Sequence, residues 1–377
     1  MVISSGSMLQ LHSTVTTDAM LELSLRDVPI PILRAEQVLI RVEAAPLNPS
    51  DIQVMLAEAD PLRARPGGTA DHPSVRMPLP PQVFQRLEAR VGASLPTGNE
   101  GAGTVVDAGE QGRHLLGKRV AVFAGGMYAQ YRAARASECL VLPDDVTFEE
   151  GAGAIINPVT ALALIDCMRA EGHRALIHTA AASSLGQMLN RICLQDGVDL
   201  VNIVRRPEQA EMLRGMGAVH VCDTSAPSFT EDLSAAIAAT GATILFDAIR
   251  GGDLADRILS CMEKVITSSQ SAYHRYGSIV HKQVYFYGAL DSGPTIFAHD
   301  FGLAWGAGAW AMPLFLKGRP AEVAEDMRAR VRRELKTTFA SHYAHSISLR
   351  DALAPEVIEA YARRGTDQKY LVRPHGT

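Results

Sequence analysis

The alternation of apolar and polar residues separates the chain into two kinds of segment. Residues 1–45 alternate at the two-residue period of a half-buried strand, as in Val38-Leu39-Ile40-Arg41-Val42, and proline clusters interrupt them. A second series of short strands begins at the glycine-rich residues 99–106 and continues at Lys118–Phe123 and Tyr128–Ala134. The pattern predicts a partly open, mainly β domain.

From Val146 onward the pattern changes to alternating buried strands and amphipathic helices. Helices are predicted at 148–152 and at Asn157–Arg169. The predicted strands are Ala175–His178, Leu200–Val204, Val219–Cys222, Ile244–Ala248 and Val284–Tyr287. The predicted helices between them are Gly186–Leu194, Pro207–Met216, Ser228–Ala239 and Asp253–Met262. Short connections in this order predict an α/β fold with a doubly wound parallel sheet.

Three further segments complete the picture. Residues 58–97 are rich in Pro and Arg, and we expect a long irregular connection that acts as a lid over an active site. The longest apolar stretch, Phe301–Leu316, is too short to span a membrane and is predicted as a buried helix. Beyond it we expect a polar helix at Ala321–Lys336, a second helix at Ala352–Arg364 and a final strand at Tyr370–Val372.

Length, charge and cysteine usage narrow the class of protein. A chain of 377 residues, 47% hydrophobic and 20% charged, is typical of a compact protein with two domains. The net charge of -5 argues against nucleic acid, whose binders carry clustered basic residues. The five cysteines are scattered, with no CxxC pair, and the N-terminus lacks the order of a signal peptide. We therefore expect a cytoplasmic protein with reduced thiols.

The stretch from Arg174 to Arg206 carries the most specific chemistry. A buried strand, a turn of small residues, a helix and a second buried strand follow one another, which is the order that a dinucleotide site needs. Ala181, Ser183 and Gly186 occupy the three positions of the GxGxxG fingerprint. Such a degenerate fingerprint is also compatible with an ordinary turn of a parallel sheet.

Two arginines follow the second of these strands. A carboxylate at this position accepts from the ribose 2′-OH of NAD, whereas arginine suits the 2′-phosphate of NADP. The chain has Arg205 and Arg206 here and no acidic residue. The sequence predicts NADPH as cofactor, although exposed arginines are often only solvated charge.

Six short motifs in order resemble the medium-chain dehydrogenase/reductase superfamily, and within it the zinc-free quinone oxidoreductase branch. They are Asn48-Pro49-Ser50-Asp51, Gly98-Asn99-Glu100-Gly101-Ala102-Gly103, Gly126-Met127-Tyr128-Ala129-Gln130-Tyr131, Asn157-Pro158-Val159-Thr160-Ala161-Leu162, Phe246-Asp247-Ala248 and Thr366-Asp367-Gln368-Lys369. Gln130 and Gln368 depart from the family's acid and glycine. The resemblance covers most of the chain outside residues 58–97.

The resemblance implies a split architecture. A GroES-like catalytic domain would comprise residues 1–152 and 320–377, with the lid-like insertion at 58–97, and a Rossmann-type NADPH-binding domain would comprise residues 153–319. Carried over by position, the residues implied in cofactor binding are Asn157, Thr160, Ala181, Ser183, Leu185, Gly186, Arg205, Arg206, Ala248, Gly288, Ala289 and Lys369.

Several of these residues have simpler structural interpretations. Asn157 before Pro158 is also a typical helix cap. Gly288 is also a typical strand-end glycine, and Lys369 is also compatible with an exposed charge. Two other residues are candidates for catalysis. Asn48 would polarise the substrate oxygen, but an asparagine here is also typical of an Asx turn before Pro49. Tyr273 would reach the cleft, but it could instead pack under a loop.

We expect no metal site. Asp51 and Asn99-Glu100 stand where the zinc-binding members of the superfamily need cysteine and histidine, and the 12 histidines form no HxxxH or HxH cluster. Without a Lewis acid, reduction of an already polarised double bond is easier than alcohol oxidation.

Three functions remain open at this point. The first is metal-free hydride transfer from NADPH to a quinone or activated alkene. The second is an enoyl-thioester reductase, although Ile52–Asp60 contains no tyrosine after the Asn-Pro-Ser-Asp turn to donate a proton. The third is a cofactor-binding or redox-sensing protein without turnover.

The oligomeric state is suggested by one strand. Val284–Tyr287 is apolar and aromatic, and we expect it to be an exposed sheet edge. In the resembled family this region pairs between subunits. The sequence therefore favours a homodimer acting on a small-molecule electron acceptor, with no nucleic acid or membrane partner.

Overall fold

The fold is known from a computed structural model, which describes residues 6–270, 274–365 and 368–376. The chain forms two compact units. The first contains Met1–Ile156 and Arg330–Thr377, and the second contains Asn157–Ala329. Both chain ends thus build one unit, whose limits lie 4 and 10 residues beyond the predicted domain limits at 152 and 320.

The N-terminal part of the first unit is mainly β. Its strands are β1 (Ser7–Val15), β2 (Met20–Pro29), β3 (Gln37–Leu47), β4 (Arg65–Gly68), β5 (Pro73–Pro78), β6 (Ser94–Pro96), β7 (Glu100–Ala108), β8 (Arg119–Phe123), β9 (Tyr131–Arg135) and β10 (Leu140–Val141). Its helices are α1 (Pro49–Leu56), α2 (Pro81–Arg86) and α3 (Phe148–Ala152).

The second unit alternates helices and strands. Its helices are α4 (Ile156–Ala170), α5 (Ser184–Asp196), α6 (Pro207–Gly215), α7 (Phe229–Thr240), α8 (Leu254–Ser268) and α9 (Met312–Lys317). Its strands are β11 (Leu176–His178), β12 (Leu200–Val204), β13 (His220–Asp223), β14 (Ile244–Asp247), β15 (Arg250–Gly252), β16 (Lys282–Phe286), β17 (Asp291–Thr295) and β18 (Trp305–Ala309). The chain returns to the first unit through α10 (Ala321–Glu334), β19 (His345–Ser348), α11 (Pro355–Ala362) and β20 (Tyr370–Arg373).

Two sheets form the first unit. One has the order β4-β5-β2-β1-β6, and the other has the order β10-β8-β7-β3-β20-β19, with β9 also paired to β3. The alternation in β3 places Val38, Ile40 and Val42 in a shared core, as the period of two requires. The C-terminal strand β20 pairs with β3, so the last residues of the chain complete this sheet.

A six-stranded parallel sheet organises the second unit, in the order β13-β12-β11-β14-β16-β18, and β15 pairs with β17 in a separate two-stranded sheet. All five residues of β12 are buried, which is typical of an inner parallel strand covered on both faces. The carboxyl ends of parallel strands share one edge, so the turns after β11, β12, β14 and β16 lie at that edge. The predicted α/β fold with a Rossmann-type sheet and a GroES-like β unit is confirmed.

Three local predictions are wrong. Residues 58–97 are not irregular: β5 pairs with β2, β6 pairs with β1, and Val75 and Met77 are fully buried in the core. The alternation within β5 is short, and the prolines at its two ends made the segment resemble a loop. Proline is nevertheless tolerated at the ends of a strand. A segment that completes one sheet is poorly suited to open and close as a lid.

The other two errors concern the edge of the parallel sheet. The predicted helix in Phe301–Leu316 is instead the strand β18 followed by the short helix α9, because Gly306 and Gly308 disfavour a helix and β16 offers a partner. The predicted exposed edge at 284–287 is paired on both sides, by β14 and by β18. The edge strand on this side of the sheet is therefore β18, and β13 forms the other edge.

Candidate functional site

The turn between β11 and α5 in the second unit carries the predicted pyrophosphate site. Ser183 is the N-cap of α5, and its Oγ accepts from the N–H of Gly186 at 3.2 Å. The N–H groups of Ser184 and Leu185 open the helix and have no acceptor within it, as in any first turn. The turn therefore presents backbone donors and the positive end of a helix, which together suit a phosphate.

Gly186 has a steric reason to be glycine. A Cβ at this position would lie 2.2 Å from the carbonyl oxygen of Ala181 and 2.6 Å from its carbonyl carbon. Only a residue without a side chain lets α5 approach the end of β11 this closely. Ala180, one residue earlier, adopts a φ of 51°, the left-handed conformation that glycine usually supplies in such a turn.

The two predicted 2′-phosphate ligands follow β12, the parallel neighbour of β11. Arg205 and Arg206 are both exposed, and Arg206 is the N-cap of α6. The backbone N–H of Arg205 donates to Oε1 of Gln209 at 3.3 Å. Both guanidinium groups are thus free of the protein core at the sheet edge that carries the turn.

A hydrogen-bonded network that the sequence did not reveal fixes the ends of β11 and β14. The Thr179 hydroxyl donates to Oδ1 of Asp247 at 2.6 Å and accepts from the N–H of Ala248 at 2.8 Å. The Asp247 carboxylate also accepts from the N–H groups of Ile249 and Arg250. The network holds Ala248, a predicted cofactor neighbour, in place.

Gly288 and Ala289 lie just after β16, at the same edge. A Cβ on Gly288 would lie 2.6 Å from the carbonyl oxygen of Ala248, so glycine is needed for close approach rather than only to end a strand. Asn157 and Thr160 lie in the first turns of α4, half-buried and buried respectively. Asn157 is the second residue of the helix, so the alternative that it is the helix cap is wrong.

A buried polar cluster occupies the first unit. Asn48 is the N-cap of α1, and its side-chain Nδ2 donates to Oε1 of Glu100 at 2.9 Å. Oε2 of Glu100 accepts from the N–H groups of Ile155 and Ile156, where α4 begins. Asp51 accepts from the backbone N–H of Asn48 at 2.9 Å, whereas Oδ1 of Asn48 has no hydrogen-bond partner among the described residues, so the alternative of an Asx turn before Pro49 is wrong.

Burial perturbs the acids of this cluster. Asp51 also accepts from the N–H of Asn99, yet burial, reinforced by the nearby Glu100 charge, raises the pKa of Asp51 to about 7. The pKa of Glu100 is raised as well, again chiefly by burial. Perturbed acids of this kind are frequent at functional sites, although structural clusters also produce them.

Lys369 belongs to the same cluster, and the alternative that it is an exposed charge is wrong. Its Nζ is buried and lies 5.1 Å from the centre of the Tyr343 ring. Burial lowers the pKa of Lys369, while the carboxylates of Glu100 and Asp51 oppose that shift. The sequence had singled out Asn48 and Lys369 but not Tyr343, which lies in no recognisable motif.

The remaining expectations concern Tyr273 and metal. Tyr273 lies outside the described residues. Over residues 6–270, 274–365 and 368–376, no three His, Cys, Asp or Glu side chains are grouped as metal ligands. The carboxylates of Asp51 and Glu100 instead accept from N–H donors. No helix in the described part of the chain is long and apolar enough to cross a bilayer.

Comparisons with known proteins agree with this architecture. The model of the alcohol dehydrogenase GroES-like domain matches residues 34–144. The synaptic vesicle membrane protein VAT-1 homolog of Mus musculus is 30% identical over 176 residues, which are 45% of this chain and 43% of that protein. A quinone oxidoreductase of Pseudomonas aeruginosa is 27% identical over 169 residues, or 44% of this chain and 52% of that protein. The matched region thus spans about half the length of these curated relatives or less.

A solved structure extends the likeness to the whole chain. The crystal structure of a "putative NADPH:quinone reductase" from Mesorhizobium loti is 25% identical, covers 98% of each chain and has a TM-score of 0.72. The six motifs, the GroES-like match and this full-length likeness agree. The chain therefore contains a GroES-like domain and resembles, over its whole length, the quinone oxidoreductases of the medium-chain dehydrogenase/reductase superfamily.

Proposed function

We propose that the protein is an oxidoreductase that uses NADPH to reduce a quinone or an activated alkene without a metal. One observation carries the proposal: two exposed arginines directly follow β12, next to the N-terminus of α5, where Gly186 permits a close backbone approach. Such a pair matches an adenosine 2′-phosphate, and such a turn matches a pyrophosphate. The similar Mesorhizobium loti structure is named for NADPH and quinone, which supports the same assignment.

The cofactor, when bound, supplies a hydride. In the proposal, Arg205 and Arg206 hold the 2′-phosphate by charge-assisted hydrogen bonds. Ala181, Ser183, Leu185 and Gly186 line the pyrophosphate, with the Ser183 hydroxyl hydrogen still available to donate. The residues proposed to border the rest of the cofactor are Asn157, Thr160, Ala248, Gly288, Ala289 and Lys369.

The donor set favours reduction of a conjugated carbonyl over alcohol oxidation. Alcohol oxidation needs a Lewis acid to stabilise the alkoxide, and the carboxylates nearest the expected zinc position are committed to N–H donors. A quinone or enone takes hydride at carbon and shifts charge to its oxygen, where hydrogen-bond donors suffice. Asn48 is a candidate donor, since its Nδ2 gives only one of its two hydrogens to Glu100.

The arginine pair gives the proposal a direct test. We expect Arg205→Ala/Arg206→Ala to weaken NADPH binding by roughly 10- to 100-fold for each charge-assisted bond lost, at about 1.5–3 kcal/mol per bond. NADH binding should change little, because it lacks the 2′-phosphate. Arg332→Ala/Arg333→Ala is the matched control, since it removes another adjacent exposed pair and the same net charge.

Calorimetric titration of both cofactors against the three proteins measures these effects. Equal losses for NADPH and NADH, or a wild-type protein that prefers NADH, would contradict the assignment of the pair. Turnover with a panel of quinones and enones tests the reaction itself. Activity on crotonyl thioesters alone would favour an enoyl-thioester reductase, and tight NADPH binding without any acceptor would favour a sensor.

We also propose that the protein is a cytoplasmic homodimer that pairs through β18. Residues 305, 307 and 309 of this edge strand are exposed, and Leu303 and Leu314 near it are each about three-quarters exposed. An unpaired edge beside exposed apolar side chains is a typical site for strand addition. All five cysteines are free thiols, in keeping with a reducing compartment.

Light scattering tests the dimer. Ala307→Lys places a charge on the exposed face of β18, and we expect it to produce monomers at micromolar concentration. A wild-type monomer under the same conditions would contradict the proposal.

A further inference from the structure

Three polar side-chain atoms in the first unit converge on Gly153. A Cβ built on this glycine would lie 2.9 Å from the Tyr343 hydroxyl oxygen, 3.5 Å from Ser341 Oγ and 3.7 Å from Lys369 Nζ. All three atoms are buried, and none has a hydrogen-bond partner among the described residues. Buried polar atoms are normally paired, so three unpaired ones around one point indicate a place for a ligand. We name the space between them the Gly153 pocket.

The backbone at Gly153 does not require glycine. The residue caps the end of α3 with φ of -101° and ψ of 28°, which other residues adopt without strain. It is also buried, where a small side chain would ordinarily add packing. Glycine is therefore required by its neighbours, because a Cβ would crowd the Tyr343 hydroxyl at 2.9 Å.

The ammonium group of Lys369 donates no hydrogen bond to the neighbouring carboxylates of Glu100 and Asp51. Glu100 fills Oε1 with the Asn48 amide and Oε2 with two backbone N–H groups, and Asp51 accepts from backbone N–H groups on both oxygens. The charges of Glu100 and Asp51 raise the pKa of Lys369 and so favour its protonated form, while its ammonium hydrogens remain available to a ligand. The nearby Ser341 oxygen slightly opposes the rise that burial causes in the Tyr343 pKa, although the two hydroxyls lack the geometry of a hydrogen bond.

The chemistry of the three groups selects the ligand. An ammonium offers three hydrogens, and each hydroxyl offers one. The raised pKa of Tyr343 keeps its hydroxyl protonated and able to donate. The group that would satisfy all three is an acceptor, and one with negative charge gains most, because charge-assisted bonds are the strong ones.

We propose that the Gly153 pocket binds the carbonyl oxygen of the hydride acceptor and stabilises the negative charge that forms on it; the inference rests on the function proposed above. The acceptor gains a C–H bond from the hydride, its π electrons shift, and the carbonyl oxygen becomes an enolate or phenolate. The hydride would bring the two electrons of the reduction, and a proton from water would complete the reduced product. Tyr343 and Ser341 are then catalytic residues of this chain, and the acceptor must carry a conjugated carbonyl.

The test uses a probe that needs no turnover. The para-nitrophenolate ion resembles a half-reduced quinone in its charged ring oxygen, and its visible absorbance reports the ionised form. We expect wild-type protein to bind para-nitrophenol as the phenolate and to lower its apparent pKa. Gly153→Ala, which places a carbon 2.9 Å from the Tyr343 hydroxyl, and Tyr343→Phe, which removes one donor, should each abolish that shift.

Kinetics supply the second readout. We expect kcat/KM for para-benzoquinone to fall by about 100-fold in Tyr343→Phe, the typical cost of one oxyanion donor, with the Kd for NADPH unchanged. Gly215→Ala is the matched control, because no atom lies within 4 Å of its added Cβ. Ser341→Ala should give a smaller loss of the same kind, which keeps the test decisive if one variant folds poorly.

The outcomes separate the two proposals. A wild-type protein that reduces quinones, together with Gly153→Ala and Tyr343→Phe variants that keep their kcat/KM and phenolate affinity, would overturn the pocket but not the function. A wild-type protein without turnover would overturn the function, and the phenolate titration would then judge the pocket alone.

Discussion

Gly186→Ala perturbs the close backbone contact that shapes the turn between β11 and α5. The new Cβ would lie 2.2 Å from the Ala181 carbonyl oxygen, 1.2 Å inside the 3.4 Å at which ordinary contact begins. The obstructing atoms belong to the backbone, so no side-chain rotation relieves the clash. Either α5 or the end of β11 must move by about an ångström.

The magnitude follows from two opposing effects. Alanine stabilises a helix by up to ~1 kcal/mol relative to glycine. Overpacking a dense interior costs about 1–3 kcal/mol, and a backbone obstruction places this case at the upper end. We expect Gly186→Ala to lose about 2 kcal/mol in the free energy of unfolding. Gly215→Ala, at the end of α6 with open space around it, should lose nothing.

Urea denaturation of both variants measures the difference, and calorimetry measures NADPH binding to each. Displacing the first turn of α5 should also weaken NADPH binding, because its N–H groups would no longer meet the phosphates. The reasoning is refuted if Gly186→Ala is as stable as Gly215→Ala and binds NADPH as tightly.

Three further predictions concern individual side chains. The folded pKa of Asp51, about 7, exceeds its unfolded value of 3.8, so its stabilising effect is complete below pH 3.8 and is lost as the pH rises through 7. The unfolding free energy should fall by about 2 kcal/mol from pH 5 to 7, a slope that Asp51→Asn should remove in urea titrations. Ser183→Ala removes the α5 cap and should cost about 0.5–2 kcal/mol in thermal unfolding, with no loss if the cap bond is absent in solution. Lys282→Met breaks the buried bond of Lys282 Nζ to Glu263 at 2.6 Å and should cost about 3 kcal/mol by chemical denaturation, whereas Lys282→Met/Glu263→Gln should recover part of that loss.

Local patterns in the chain were sufficient for most of the architecture. The period-two alternation of residues 38–42 and the mostly apolar run of β12, interrupted only by Asn202, each indicate how a strand is buried, because side-chain direction follows from backbone geometry. The small residues at 181–186 and the arginines at 205 and 206 likewise follow from requirements within one strand–turn–helix unit. These patterns can be recognised in a single sequence because each one involves residues that are close together along the chain.

Segments whose structure depends on a distant partner were predicted wrongly. β18 forms where a helix was expected because β16 supplies an open edge, and β5 forms between prolines because β2 supplies the ladder. No residue inside either segment indicates which strand it will pair with. Secondary-structure propensity is a weak preference that tertiary pairing overrides.

The polar cluster of the first unit shows the same division most clearly. The sequence marks Asn48 and Lys369 by motif, but it gives no sign that Tyr343, Ser341 and Lys369 meet in front of Gly153. Gly153 and the three side chains lie in segments that are far apart in the sequence, and no local pattern links those segments. The sequence alone determined the class of fold, the turn of small residues before α5 and the two arginines after β12. Only tertiary structure decided which side chains lose water together, and burial is what changes their chemistry.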